Sequence, residues 1–505
     1  MTMPAAPPLT YCARRLTPNQ RNLTVVMVSS MRGRSIPRSR LTFQLTQSGG
    51  DGCAPAASEI LNSKSMMLNR NTRQLGLFAA IAVVTGESIA LGIFLTPAAM
   101  AKSLGSPLLL GLVWLGIALM AMSGALCYSA LAVRFPESGG EYVYLRAVYG
   151  EQTGFLYGWM SSLVMYPGVA AALSVGSVSY IAQIAPLDPH LLRLMPAFIL
   201  IFFGALNILG TRLSGAVTSF ANMLKLAILL GVAGWALFGG HAHVSNLLPI
   251  AQRRPGSEAL IPAIASAVVS AFFSFGGWWE AGKIAGEVRN PQRTLPLAFL
   301  GGVSLVTLIY LLISGAFLAV VPITDVTSNT AFVAQFGAVL FGQSGARVLS
   351  GCVLVCICGG IAALSMAAPR VVYAMALKGS FFTAFGRLHP RFGSPFNAIL
   401  LQTALSLLVL AFGAFDRVLA FIIFSAVIFL ALTVSTLFRL ERAKSWWYPA
   451  APSLFIFFCV VLDVLILLHD PIPALIGVAI VLCGIPGHRV LLAFASGTAV
   501  ATARE

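Results

Sequence analysis

From Leu75 onward the sequence is a succession of apolar runs separated by short segments that hold most of the basic side chains. Each run is close to the roughly 20 residues that cross about 30 Å of hydrocarbon. Only 10% of the 505 residues are charged and 58% are hydrophobic, whereas a soluble domain carries about 25% charged residues. A water-facing surface of this size cannot be assembled from so few charges, so the chain reads as an all-α integral membrane protein whose first partner is the lipid bilayer. Eight cysteines, most of them inside apolar runs, are too sparse for a disulfide scaffold. The net charge of +16 falls mainly between the runs, where charges orient helices in a bilayer. No nucleic-acid partner is expected.

Counting with that ruler predicts twelve spans, at 75–100, 108–133, 155–184, 191–209, 215–238, 259–285, 297–321, 347–369, 397–413, 418–438, 449–468 and 472–487. Odd-numbered connections and the span ends beside them carry six basic residues, and the even-numbered ones, with the C-terminal tail, Lys64, Arg70, Arg73 and Lys283, carry eighteen. That bias predicts both termini on the cytoplasmic side. Residues 1–74 lack a signal-peptide core and are rich in Arg, Ser and Pro, so they read as a disordered cytoplasmic segment. An over-extended start, with initiation at Met66 or Met67, explains the same composition. The rest divides into a core at 75–438, two added helices at 439–487 and a short tail at 488–505.

Two spans are interrupted near their middles. Span one reads Thr85-Gly86-Glu87-Ser88-Ile89-Ala90-Leu91-Gly92, and span six reads Phe273-Ser274-Phe275-Gly276-Gly277-Trp278-Trp279-Glu280. In lipid, broken backbone is tolerated only where it is buried in protein or lines a cavity. The breaks lie five spans apart. An odd offset makes the two helices cross in opposite directions, as an inverted repeat of five helices requires. Paired breaks of this kind mark a transport site near the midplane, where half-helix ends meet anionic and cationic groups.

At these residues the chain resembles the amino acid–polyamine–organocation superfamily, closest to its bacterial L-type-like amino acid permeases. The resemblance runs from about Gly76 to Leu440 and rests on several stretches: Gly92-Ile93-Phe94 with Pro97, Phe135-Pro136-Glu137-Ser138-Gly139-Gly140-Glu141-Tyr142, Asn207 with Gly210 and Lys225, Phe275-Gly276-Gly277-Trp278 with Glu287-Val288-Arg289-Asn290-Pro291, and Pro369-Arg370 with Tyr373 to Ala376 and Gly379. It implies a ten-helix, leucine-transporter-like inverted-repeat core with two added helices, in a bacterial plasma membrane. It further implies that amides at Leu91 and Gly92 hold a substrate carboxylate. Carbonyls at Ser88, Phe273 and Gly276 hold its amine, Phe273 caps it from outside, and Gly277-Trp278 form the pair below the break. The chain departs from the family pattern at Ala90 and Leu91, where small residues are usual, and at Trp279, where Asn is usual.

Charges inside spans carry the remaining signal, because each costs roughly 2.5–3.5 kcal/mol to insert at mid-depth. Ser214, Thr218, Asn222 and Lys225 form one polar stripe of span five, expected to face the bundle interior. The resemblance gives Lys225 the place of a sodium ion, bridging the first break and span eight, with Ser365 as its span-eight partner. Glu87 lies near mid-depth of span one, where the family has an uncharged residue. It is expected to be neutral or paired, and to contact a substrate amine, pair with Lys225 or carry a coupled proton. Glu280, Lys283 and Glu287 read as a self-neutralising helix face or an inner gate. Cys352, Cys356 and Cys358 read as packing. No metal and no cofactor is expected, and no catalytic set is visible.

The expected function is secondary active transport of amino acids by alternating access, coupled to protons or run as exchange. The alternatives are a carrier of amines or other small organic cations, favoured if Glu87 faces the site, and a non-transporting sensor on the same scaffold.

Overall fold

The computed structural model describes residues 75–89, 92–185, 187–326, 335–412, 415–440, 447–469 and 471–502. The N-terminal segment lies outside these residues, and with it the expectation of a disordered tail or an over-extended start. Among the described residues the secondary structure is helical, without a β-strand. Nine helices are long and apolar enough to cross a membrane, and three shorter apolar ones fall on predicted spans one, nine and twelve. Helices are the form this composition requires, because backbone groups in hydrocarbon must bond within their own segment.

Span two packs along span seven, span three along span eight, and the second half of span one against the first half of span six. Each partner lies five spans from the other, which is the signature of two five-helix halves built on one plan. The first half of span one is enclosed by spans five, seven and eight and by the second half of span six. Small residues permit the close approach: a methyl group added at Gly302 of span seven would lie 2.4 Å from Val84 Cγ1 of span one. Spans eleven and twelve both pack on span ten, and reach the core through span two and the start of span three respectively.

Three features differ from the sequence expectation. The final helix runs Pro471–Thr502, through most of the stretch read as a tail. Span three contains a π-helical turn at Ser161–Met165. A helix over Glu141–Tyr149, unexpected from the sequence, occupies the connection after span two and brings Glu141 into the core.

Span one is bonded at both ends to segments that flank span six. At its start, the Leu75 N–H donates to Glu287 O at 2.9 Å and the Arg289 N–H donates to Leu75 O at 2.8 Å. At its far end, Arg253 donates to Leu104 O at 2.9 Å and Arg254 to Lys102 O at 3.1 Å.

Candidate functional site

The first helix of span one, Leu77–Ser88, stops where glycine and a run of polar residues weaken it, and the helix resumes as Gly92–Leu104. Ala90 and Leu91 lie outside the described residues, so the position expected to offer a substrate amide at Leu91 is not described. The carbonyls freed by the break are claimed by side chains of other spans. Lys225 Nζ donates to Gly86 O at 2.9 Å and to Ile89 O at 2.5 Å. Asn222 Nδ2 donates to Ala82 O at 2.8 Å and also to Thr85 Oγ1. The whole stripe of Ser214, Thr218, Asn222 and Lys225 is buried, facing inward as its spacing predicts. Tyr310 of span seven places its hydroxyl 2.7 Å from both Ser88 O and Ser274 O. With one proton, that hydroxyl bonds one carbonyl at a time.

Span six breaks differently. Its first helix, Leu260–Phe275, ends at Gly276, and Gly277 follows at φ +96°. The chain then continues over Trp278–Glu287 as a 3-10 helix. This tighter winding sets which side chains after the break face the cavity and which do not. Trp278 does not line the cavity described below; it packs edge-on against Tyr128 and Phe455, with ring centroids 5.3 and 6.0 Å away. Its neighbour Trp279 lines the cavity instead. Glu280, Lys283 and Glu287 are likewise not one self-neutralising face. Lys283 Nζ pairs with Glu280 Oε1 at 2.8 Å and with Glu141 Oε2 at 3.1 Å, all three side chains being buried. Glu287 turns to span eight, where Arg370 Nε meets its Oε1 at 2.9 Å.

The two breaks touch. A methyl group added at Gly92 would lie 2.4 Å from Ser274 Oγ, and one added at Gly277 would lie 2.6 Å from Glu87 Cβ. Beside this contact is a cavity with about 810 Å³ of empty space. Its lining includes Glu87, Ser88 and Gly92 from the first break, and Phe273, Ser274, Gly276, Gly277, Trp279 and Glu280 from span six. Tyr166 and Leu173 of span three, Leu364 of span eight and Ile422 of span ten complete the wall. A concave, mostly apolar wall with a few convergent polar groups is the usual form of a small-molecule site.

Two antiparallel half-helix ends meet here: the N-terminus of Gly92–Leu104 and the C-terminus of Leu260–Phe275. They carry partial charges of about +0.5 and −0.5 respectively. The cavity therefore suits a ligand with separated positive and negative ends. Of the residues read as site residues from the sequence, Glu87, Ser88, Gly92, Phe273, Gly276 and Gly277 line the cavity together. Lys225 lies behind the first break, bonded to it and covered from solvent. Ser365 is placed elsewhere, in a second cavity with Leu200, Gly204 and Gln402. Span eight passes beside the ammonium at Gly359, where an added methyl would sit 3.6 Å from Nζ. The sequence reading missed Tyr310, Trp279 and the cavity-facing position of Glu280. A tyrosine in the middle of an apolar run was the available signal for Tyr310, since a buried phenol needs a partner.

Two discontinuous helices, crossing in opposite directions around one cavity, define a membrane transporter fold. The sequence profile of the family described as Amino acid permease matches residues 75–495, and the chain belongs to that family. It is 28% identical to a serine/threonine exchanger of Bacillus subtilis over 377 residues, covering 74% of this chain and 84% of that one. It is 27% identical to the large neutral amino acids transporter small subunit 2 of Oryctolagus cuniculus over 433 residues, covering 82% and 79%. Identity to a human cystine/glutamate transporter is 26% over 434 residues, covering 83% and 85%. Family and relatives alike are named as transporters rather than enzymes.

Proposed function

We propose that this protein moves amino acids across the plasma membrane by alternating access around the two breaks, with both termini cytoplasmic. The observation that carries the reading is the single cavity onto which the two half-helix ends open. In this reading the substrate carboxylate lies at the amide end of Gly92–Leu104, and its amine lies toward Ser88, Phe273 and Gly276. Phe273, partly exposed at the cavity, serves as the outer lid. Trp279, which lines the cavity, takes the inner position that the resemblance implies for Trp278. The Lys225 ammonium stands where a coupling cation would bind, which favours exchange or proton coupling over sodium. The core is residues 75–438, with the two helices after it as a buttress.

Counterflow in proteoliposomes tests the reading. Vesicles loaded with unlabelled amino acid should accumulate labelled amino acid, and analogues should block it. Silence across a panel of amino acids and amines, in protein that unfolds cooperatively, would favour the sensor reading instead. The amine alternative draws support from one observation: Glu87 lines the cavity, and its Oε1 is buried without a hydrogen-bond partner.

The inner end is held shut in this reading by the Arg370–Glu287 pair and by the backbone bonds of Leu75. Glu287→Gln should loosen that latch. A cysteine placed at Leu364, on a background free of native cysteines, should then react several-fold faster with an impermeant thiol reagent applied from the cytoplasmic face. An unchanged rate would remove the latch from the mechanism.

A further inference from the structure

Resting on the transport reading, we propose that the preferred substrate is an α-amino acid with a positively charged side chain. The carboxylates of Glu87 and Glu280 receive its two cationic groups. Among the described residues no lysine, arginine or histidine lines the cavity; its ionisable lining groups are Glu87, Glu280 and Tyr166. Both carboxylates present an oxygen without a partner, Glu87 Oε1 and Glu280 Oε2. Ser274 Oγ, also in the lining and buried, is likewise unbonded. Buried carboxylate oxygens left in this state are costly, and a bound donor relieves the cost.

The backbone carbonyls of the first break are already engaged. Gly86 O and Ile89 O accept from Lys225, and Ser88 O shares the Tyr310 hydroxyl with Ser274 O. The nearby cations are equally committed, Lys225 to those carbonyls and Lys283 to Glu280 Oε1 and Glu141. An ammonium entering beside Ser88, Phe273 and Gly276 therefore finds unbonded oxygens on the two glutamates.

The two unbonded carboxylates and the helix end sharpen the class. A simple zwitterion brings one cationic group to two carboxylates, and a diamine leaves the amide end at Gly92 without an anion. An amino acid with a cationic side chain brings a donor to each carboxylate, and it also supplies the carboxylate for that helix end.

The test is counterflow and competition in proteoliposomes with lysine, leucine, butylamine and putrescine. Lysine is expected to accumulate and to displace leucine. Glu280→Gln is expected to lower the lysine-to-leucine preference by about ten-fold, the loss of one charge-assisted hydrogen bond. Glutamine keeps the shape of the side chain, and Glu141 keeps Lys283 paired. If the variant does not fold, the displacement series on the unmodified protein decides the matter alone. Accumulation of leucine with proton entry and without lysine would overturn the proposal and leave amino acid transport standing. Putrescine or butylamine in place of lysine would overturn it too. Silence for all four would remove the transport reading with it.

Discussion

Replacing Lys225 with methionine is expected to abolish counterflow and to lower the melting temperature of the detergent-solubilised protein. Methionine matches the length of the lysine stem and removes only the ammonium. Gly86 O and Ile89 O would then lose a donor in a site without solvent access. Each buried acceptor left unbonded costs about 1–3 kcal/mol, so the two together approach the whole stability of many domains. The functional loss has a separate origin. The ammonium joins span five to the broken segment of span one, and without it the break has no fixed position relative to the cavity. Transport within two-fold of the unmodified protein would show that the ammonium neither orders the break nor couples its movement.

Gly277→Ala should be nearly as severe. Two penalties meet at this residue. Its φ of +96° lies where residues with a Cβ are strained, at a cost of order 1–3 kcal/mol. The new methyl would also lie 2.6 Å from Glu87 Cβ and 3.0 Å from the Glu87 carbonyl carbon. Overpacking of this kind costs about 1–3 kcal/mol and moves backbone, and here the backbone that must move is the first break. The control is Gly315→Ala in span seven, where nothing lies within 4 Å of the added methyl. Loss of counterflow is expected for Gly277→Ala, with a lowered melting temperature, and neither for Gly315→Ala. Equal behaviour of the two variants would show that the contact between the breaks is not needed.

Much of this arrangement is legible in the sequence because the bilayer makes departures from apolar helix expensive. Lys225 and Glu87 stand out as charges at mid-depth, and the glycines of both breaks stand out as helix breakers where none is expected. The family motifs add the order of the elements. What the sequence withholds depends on winding and on distant partners. The 3-10 form of Trp278–Glu287 has no periodic signature, and it alone exchanges Trp278 for Trp279 at the cavity and turns Glu280 inward. Glu141 reads as a loop residue until the helix Glu141–Tyr149 carries it to Lys283. Ser365 shares a span with Gly359, yet only the latter comes near the ammonium, because the rotation of that span is set by its packing on spans three and five.

Tyr310 carries a consequence of its own. Its hydroxyl stands equidistant from a carbonyl of each break and has one proton to give. Whichever carbonyl it serves, the other is left waiting, so neither position is strongly preferred. If one break swings away, the proton passes to the remaining carbonyl and the bond count is unchanged. Span seven thus offers one fixed donor to both breaks, and loss of either carbonyl leaves that donor bonded to the other.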